Sequence, residues 1–287
     1  MHVQEALQAF LVQLEADGRS RHTIGQYRRH VRALADWLPP ETAITAITPD
    51  AVARFFASPA AKNTGTGSAK KAVSVNAMRT SIRCFAAHLH DAGLVVANPA
   101  RLLRRARCTP PPPKALHQDE LARLQEVLAT AIGVEAERDR VLVELLLGTG
   151  IRIGSAIAID VEDIDFDHGE VRLRSTKNDR PATVVLPKDL ATRIRGFLGQ
   201  WDTGPLFHRD GRRLSVRHAQ RVIGRLLATA GIRGRSAHAL RHTFATDLLA
   251  RTGNLRLVQA ALNHASIAST TVYAQVDREG LRRALLA

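Results

Sequence analysis

The stretch TPPPPKAL, residues 109–116, limits what this chain can fold into more than any other feature of its sequence. Four consecutive prolines cannot continue a helix, and they form a stiff, extended spacer. The hydrophobic patterns on the two sides of the run are each self-contained. The run therefore predicts a linker, residues 108–116, between an N-terminal domain, residues 1–107, and a C-terminal domain, residues 117–287. A surface loop inside one domain is the alternative.

The N-terminal domain shows only helical periodicity. Apolar residues recur at three- and four-residue steps from Val3 to Leu14 and from Ile24 to Leu38. Thr48-Pro49-Asp50 places a capping residue before a proline at the first helical position, which starts another helix. With a fourth helix from Ser74 to Leu94, the pattern predicts a basic helical bundle of a kind that can clamp DNA.

The C-terminal domain combines helices with a small sheet. Helical patterns cover His117–Ala129 and Glu135–Leu147, and they resume at Lys188. Between them, EVRLRS (Glu170–Ser175) alternates apolar and charged residues, and ATVVLP (Ala182–Pro187) is rich in β-branched residues. The connecting TKNDRP has turn residues, so this region predicts a β-hairpin. The predicted fold is mainly α with a small antiparallel β-sheet, the C-terminal domain being α+β.

The charge of the chain indicates the class of its partner. The net charge is +14 and the pI is near 11.1, although 35 of the 41 basic residues are arginine, as in an Arg-rich proteome. A folded, strongly basic protein most often binds nucleic acid. We expect no membrane span and no signal peptide, because no long apolar run is present and the N-terminus is amphipathic.

Basic residues at helix junctions are the first candidates for a binding site. In GTGIRIGSA, residues 148–156, two glycines end a helix and Arg152 follows, where its side chain can point into a cleft. In HALRH, residues 238–242, His238 and Arg241 lie three residues apart and share one helix face. Each alone could be an ordinary solvated residue. Together they suit an anionic centre that exchanges protons.

Metal binding is not expected. His238 and His242 have a spacing that suits zinc, but no glutamate lies between them and no third ligand has a recognisable spacing. Cys84 and Cys108 form neither a metal motif nor a disulfide framework, which fits a reducing cytoplasm. The acidic segment DVEDIDFDHGE, residues 160–170, is predicted to form a solvated turn before the hairpin.

Three further candidates lie in LNHASIASTTVYAQV, residues 262–276, and in the hairpin turn. His264 and Tyr273 are nine residues apart, so one continuous helix would point them in opposite directions. Ser266 can cap a new helix, and such a break would let the two side chains converge. Tyr273 could equally be a buried aromatic residue. Lys177, in the turn, is either an exposed lysine or a mobile proton donor.

These residues together resemble the pattern of a known family. The order Arg, Lys, His-x-x-Arg, His, Tyr is similar to that of the tyrosine recombinases, and within them to the Xer and phage-integrase branch. It is carried by TGIRIGSA, the lysine of STKN, HALRHTFATDLL and LNHASIASTTVYAQV. The resemblance is close after the linker and looser before it, where SRHTIGQYRRHVRAL resembles a helical core-binding domain. It implies a DNA clamp followed by a catalytic domain.

The resemblance implies an enzyme that attacks a DNA phosphodiester with a tyrosine, giving a 3′-phosphotyrosyl link and a free 5′-hydroxyl. A phenol with a pKa near ~10 needs a base, and the charge on the phosphate needs donors. The implied roles are nucleophile for Tyr273, base for His238, phosphate donors for Arg152, Arg241 and His264, and acid for Lys177. No metal, ATP or other cofactor is expected, because the arginines supply positive charge and the covalent link conserves the bond energy.

The same resemblance implies the partners. They are double-stranded DNA with a specific recombination site, and a homo- or hetero-tetramer of recombinase protomers on two duplexes, in the cytoplasm at the nucleoid and without a membrane. The tail VDREGLRRALLA, residues 276–287, is expected to dock on a neighbouring protomer. A catalytically silent DNA-binding protein of the same fold is the alternative. A nicking enzyme similar to type IB topoisomerases would share the chemistry.

Two positions depart from the family pattern. Ser155 stands where the family usually has glutamate, which puts in doubt a contact that supports Arg152 or its helix. Asn263 stands where glycine usually precedes the second histidine, at a tight helix junction. Asparagine adopts left-handed backbone geometry less freely than glycine. Neither change removes a reacting group, so activity is expected.

Overall fold

The proline run separates two units, and each has a buried apolar cluster of its own. The computed structural model describes residues 1–108, 114–174 and 182–263. The chain divides into Met1–Pro110 and Pro111–Ala287. The finer limits of 1–107, 108–116 and 117–287 stay a prediction from the sequence.

The first unit is a helical bundle. Its helices are α1 (Val3–Ala16), α2 (Arg21–Trp37), α3 (Pro49–Ala57), α4 (Pro59–Lys62) and α5 (Ala72–Asp91), with a 3₁₀ turn at Ile44–Ala46. Helices α1, α2 and α5 pack on one another and bury Leu7, Leu34 and Phe85 almost completely. Residues 1–108 contain isolated β-bridges but no strand, as the sequence predicted.

Local capping explains where α3 begins. The Thr48 hydroxyl accepts a hydrogen bond from the Ala51 N–H at 3.1 Å, and Pro49 fills the first helical position, where no N–H is needed. The predicted start of this helix is therefore confirmed. Helix α4 was not predicted, although Ser58 and Pro59 repeat the same two-residue signal.

The second unit is built around one buried helix. Its helices are α6 (Gln118–Thr130), α7 (Val134–Thr149), α8 (Ile153–Ala158), α9 (Lys188–Leu198), α10 (Val216–Thr229), α11 (Ala237–Thr252) and α12 (Leu255–Ala261). Helices α9 and α11 pack against α7, and Leu142, Leu145 and Leu146 of α7 are each 1% exposed. The positions of α6 and α7 confirm the two predicted helices. Across the three described ranges, no helix is long and apolar enough to span a membrane.

A three-stranded antiparallel sheet follows α8. Strands β1 (Ile164–Asp165), β2 (Glu170–Leu173) and β3 (Ala182–Val185) pair in that order. Val171 and Leu173 are buried while Arg172 is exposed, so the strand alternates as its sequence predicts. Strands β2 and β3 confirm the predicted hairpin. Its turn, which carries Lys177, lies outside the described residues.

The acidic segment of residues 160–170 is only in part the solvated turn that the sequence predicted: residues 166–169 form a turn with Asp167 and His168 exposed, but Asp163 is buried. The Asp163 side chain is 1% exposed and forms an ion pair with Arg174 at 2.8 Å. Ile164 and Asp165 form β1 in the sheet. A buried carboxylate needs a charged or hydrogen-bonding partner, and this partner lies eleven residues away across the sheet, a pairing that the local pattern does not reveal.

A second small sheet interrupts the region after Lys188, which the sequence predicted to be helical. Strands β4 (His208–Arg209) and β5 (Arg212–Arg213) pair as a hairpin around Asp210 and Gly211, with φ angles of 52° and 73°. An Asp-Gly pair favours this two-residue turn, because both positions need left-handed backbone. Two-residue strands are too short to show alternation, so only the turn could have predicted them.

Candidate functional site

Three of the six predicted site residues line one cavity in the second unit. Arg152, His238 and Arg241 surround a space of about 820 Å³, together with Ser155 and other residues of α8, α10 and the start of α11. Among the described lining residues there is no carboxylate. The cavity is therefore positively charged, and its shape and charge suit an anion.

The end of α7 presents Arg152 to this cavity. Gly150 ends the helix in the left-handed conformation, with φ of 64°, and its N–H bonds to the Leu146 carbonyl at 3.0 Å. Arg152 then has extended backbone and stands at the N-cap of α8. Its guanidinium makes no hydrogen bond or salt bridge with the described residues. Both ends of the guanidinium fork are thus available for a bidentate bond to an anion.

Gly150 is also required by packing. A Cβ atom added at this position would lie 2.2 Å from Cδ1 of Phe244, which belongs to α11. The end of α7 and the helix that carries His238 and Arg241 therefore approach each other more closely than any side chain allows.

Arg241 is buried, with 3% of its surface exposed, and it ties three elements together. Its Nη1 donates to the Gly150 carbonyl at 2.5 Å, and its Nη2 donates to the Leu262 carbonyl at 2.8 Å. These carbonyls lie at the ends of α7 and α12, where helical partners are lacking. The guanidinium thus fixes α11 against the chain segments that lead to Arg152 and to His264.

His238 is arranged to stay neutral. Limited hydration by the surrounding protein lowers the pKa of its imidazole, and the positive charges of Arg241 and Arg152 lower it further. A neutral imidazole at physiological pH can accept a proton. No group of three or more metal-ligating side chains occurs among the described residues, so His238 and His242 lack a third ligand there.

His242 packs edge-on against His238, with ring centroids 4.5 Å apart. Burial lowers its pKa to about 4, and the nearby His238 and Arg241 contribute. In the unfolded chain a histidine titrates near ~6.5. As the pH falls from there towards about 4, the unfolded state binds a proton that the folded state does not. The stability of the second unit should therefore fall over this interval.

We expect His242→Gln to lose less stability than the unmodified protein when the pH is lowered from about 7 to about 4.5, because it removes one such proton uptake. Urea midpoints of the second unit, followed by Trp201 fluorescence in a Trp37→Phe background, measure this difference. The control is His168→Gln. The hydrogen bond that the His168 ring donates to the Asp165 carboxylate raises the pKa of His168, so replacing this histidine should not reduce the acid sensitivity. Equal losses in the His242→Gln and unmodified proteins would contradict the prediction.

Asn263 adopts the left-handed conformation that its position was expected to need. Its φ is 49°, and its N–H bonds to the Ala260 carbonyl at 2.9 Å after the end of α12. Asparagine is one of the few residue types that adopt this geometry routinely. The departure from glycine therefore keeps the turn that precedes His264.

The remaining candidates lie outside the described residues. These are Lys177, His264 and Tyr273, with the capping candidate Ser266 and the tail of residues 276–287. Two polar lining residues of the cavity were missed by the sequence analysis. Ser236 is the N-cap residue of α11, and Gln220 lies on the exposed face of α10. The helical periodicity of α10 predicts that Gln220 is exposed. Only the fold shows that it borders the same cavity as residues of α8 and α11.

Both units are similar in sequence to known protein families. The sequence matches the phage integrase family over residues 114–279 and the phage integrase N-terminal SAM-like domain over residues 7–93. It is 30% identical to tyrosine recombinase XerA of Pyrococcus furiosus, over 98% of this chain and 93% of that protein. It is 32% identical to tyrosine recombinase XerC of Mycobacterium leprae, over 92% of each chain.

The fold is shared with solved structures. A lambda integrase tetramer bound to a Holliday junction matches with a TM-score of 0.74 and 18% identity, over 93% of this chain and 78% of that one. Similarity at this identity speaks for the architecture alone. The predicted class, mainly helical with a small antiparallel sheet, is confirmed.

Proposed function

Because the chain belongs to the phage integrase family of tyrosine recombinases, we propose that it is a site-specific DNA recombinase. It cuts and rejoins DNA through a 3′-phosphotyrosyl intermediate and uses neither metal nor ATP. Its partners are double-stranded DNA carrying a recombination site, and other recombinase protomers in a tetramer on two duplexes. It acts in the cytoplasm, at the nucleoid.

The observation that carries this proposal is the cavity shared by Arg152, His238 and Arg241. A phosphodiester under attack gathers negative charge on its equatorial oxygens. The two guanidiniums can donate hydrogen bonds to those oxygens while staying charged, although Arg241 also holds the Gly150 and Leu262 carbonyls. A cavity with two arginines, a neutral imidazole and no carboxylate among its described lining residues fits that requirement.

The roles of the six residues follow from the chemistry. Tyr273 attacks phosphorus, and His238 accepts the phenolic proton because its lowered pKa keeps it neutral. Arg152 and Arg241 bind the equatorial oxygens, and His264 donates one more hydrogen bond. Lys177 protonates the departing 5′-oxygen. Rejoining runs the same steps in reverse, since the phosphotyrosyl link keeps the energy of the broken bond.

The alternative is a DNA-binding protein of the same fold that does not cut. The two proposals differ in one product, a covalent protein–DNA adduct. Asp163 is buried and ion-paired with Arg174, so this carboxylate is not available to hold a metal as the clustered carboxylates of two-metal nucleases do.

The experiment uses DNA recovered from cells after crosslinking to the protein. A duplex with that site carries a nick beside the scissile phosphate, so that the cleaved fragment diffuses away and the adduct accumulates. We expect an adduct on denaturing gels. Arg152→Ala should slow its formation on the order of 10²–10³-fold, the usual effect of removing one such donor. The exposed Arg256→Ala is the matched control. Specific binding without any adduct would favour the silent DNA-binding protein.

A further inference from the structure

An arginine–aspartate clasp holds the chain directly after β2. Among the described residues, the β2–β3 pairing runs as far as Leu173 with Ala182. Directly after Leu173, Arg174 donates from Nε to Asp163 Oδ1 at 2.8 Å and from Nη1 to Asp160 Oδ2 at 2.7 Å. The clasp therefore fixes the residue that directly follows β2.

The carboxylates of Asp160 and Asp163 also have partners other than Arg174. The Asp163 side chain is 1% exposed, and its Oδ2 accepts the Asp160 N–H at 3.1 Å. Asp160 also binds Arg213, which donates to the Ile157 carbonyl at 2.7 Å. A buried charge is destabilising unless ion-pair and hydrogen-bond partners compensate for its lost hydration. In the arrangement described, each of these charged groups has such partners.

The clasp connects two parts of the proposed active site. Ile157 lies in the last turn of α8, and Arg152 is the N-cap of that six-residue helix. On the other side, Arg174 lies only three residues before Lys177 in the sequence. Three residues of extended chain span at most ~10 Å. Fixing Arg174 thus limits the distance between Lys177 and the clasp, which is itself connected to Arg152 through Arg213 and α8.

We propose that Arg174, held by Asp160 and Asp163, is a positioning residue for Lys177. The inference rests on the proposed function, since it matters only if Lys177 protonates the leaving oxygen. Without the clasp, the chain three residues before the lysine loses its two charged contacts, to Asp163 and Asp160. Loss of orientation by about 1 Å can reduce a rate about 10²-fold, so the clasp should contribute to the protonation step and not to DNA binding.

A change of leaving group separates this role from a structural one. In a nicked duplex whose 5′-bridging oxygen is replaced by sulfur, the leaving group is a thiolate, which departs without a proton because its pKa is far lower than that of an alcohol. On the oxygen substrate, we expect Arg174→Gln to slow cleavage about 10- to 100-fold. On the sulfur substrate, it should match the unmodified protein within about threefold. Lys177→Ala should show the same rescue.

Two more variants make the result decisive. Arg172→Gln is the matched control, because this arginine lies two residues earlier, in β2, and approaches Asp163 only to 3.7 Å; the variant should cut both substrates normally. Asp160→Asn removes the opposite half of the clasp and should show the same sulfur rescue as Arg174→Gln.

An Arg174→Gln defect that persists on sulfur would show that the residue serves folding or DNA binding, and it would overturn the proposal. So would a Lys177→Ala defect without rescue, although the recombinase function would then stand. If the unmodified protein forms no adduct on either substrate, the proposed function itself fails.

Discussion

Replacing Tyr273 with phenylalanine is expected to abolish the covalent adduct with DNA. The phenolic oxygen is the atom proposed to attack phosphorus, and phenylalanine keeps the ring while removing that oxygen. Removing a nucleophile costs a rate factor of about 10⁴ or more. Specific DNA binding should stay within about threefold of normal, because phosphate and groove contacts hold the complex without the hydroxyl. Adduct formation on the nicked duplex and gel-shift binding measure the two quantities.

The chain offers a matched control, since it has only two tyrosines. Tyr27 lies in the first unit, where its ring stacks on Phe10 and its hydroxyl lies 3.7 Å from Cys84 Sγ. Tyr27→Phe removes a hydroxyl of the same kind and should leave the adduct unchanged. An adduct formed by Tyr273→Phe, or one lost in Tyr27→Phe alone, would mean that Tyr273 is not the nucleophile.

Gly150→Ala is expected to destabilise the second unit by about 2–5 kcal/mol. At a φ of 64°, a residue with a Cβ atom costs about 1–2 kcal/mol, and overpacking adds about 1–3 kcal/mol. The added methyl would meet three ring carbons of Phe244 at 2.2–2.9 Å, so α7 and α11 would have to move apart. Because α11 carries His238 and Arg241, cleavage should fall as well.

Gly196→Ala is the matched control for this substitution. Gly196 lies inside α9, where an added Cβ would meet no atom within 4 Å and the backbone is not left-handed. Alanine there should stabilise the same unit by about 0.5–1 kcal/mol, because it is the better helix former. Urea unfolding followed by Trp201 fluorescence measures both variants. A Gly150→Ala midpoint equal to that of the unmodified protein would contradict the packing described for this glycine.

Much of the fold and part of the site could be predicted from local patterns. The start of α3 follows from Thr48 and Pro49, and the β2–β3 hairpin follows from alternation within a few residues. The common face of His238 and Arg241 follows from the period of a helix. These predictions succeed because the relevant interactions lie within one element or between neighbouring elements.

Other features depend on residues that are distant in the sequence. The burial of Asp163 is explained by Arg174, eleven residues later and directly after β2. The segment after the proline run is fixed by a hydrogen bond from the Leu116 N–H to the Thr243 hydroxyl at 2.8 Å, across 127 positions. Periodicity describes which face of an element is apolar, and it does not identify the element that faces it. The proposed site residues 177, 264 and 273 stay predictions from the sequence pattern.

The carbonyl bonds of Arg241 bear on how an alanine scan of this enzyme should be interpreted. Truncating this side chain deletes a charge at the cavity and, in the same step, releases the backbone at Gly150 and Leu262. The cleavage rate of such a variant reflects both the missing charge and the displaced backbone. It therefore overstates the contribution of the Arg241 charge to catalysis. Arg152 has no such bonds to the described residues, so its truncation removes the charge without releasing the backbone at Gly150 and Leu262.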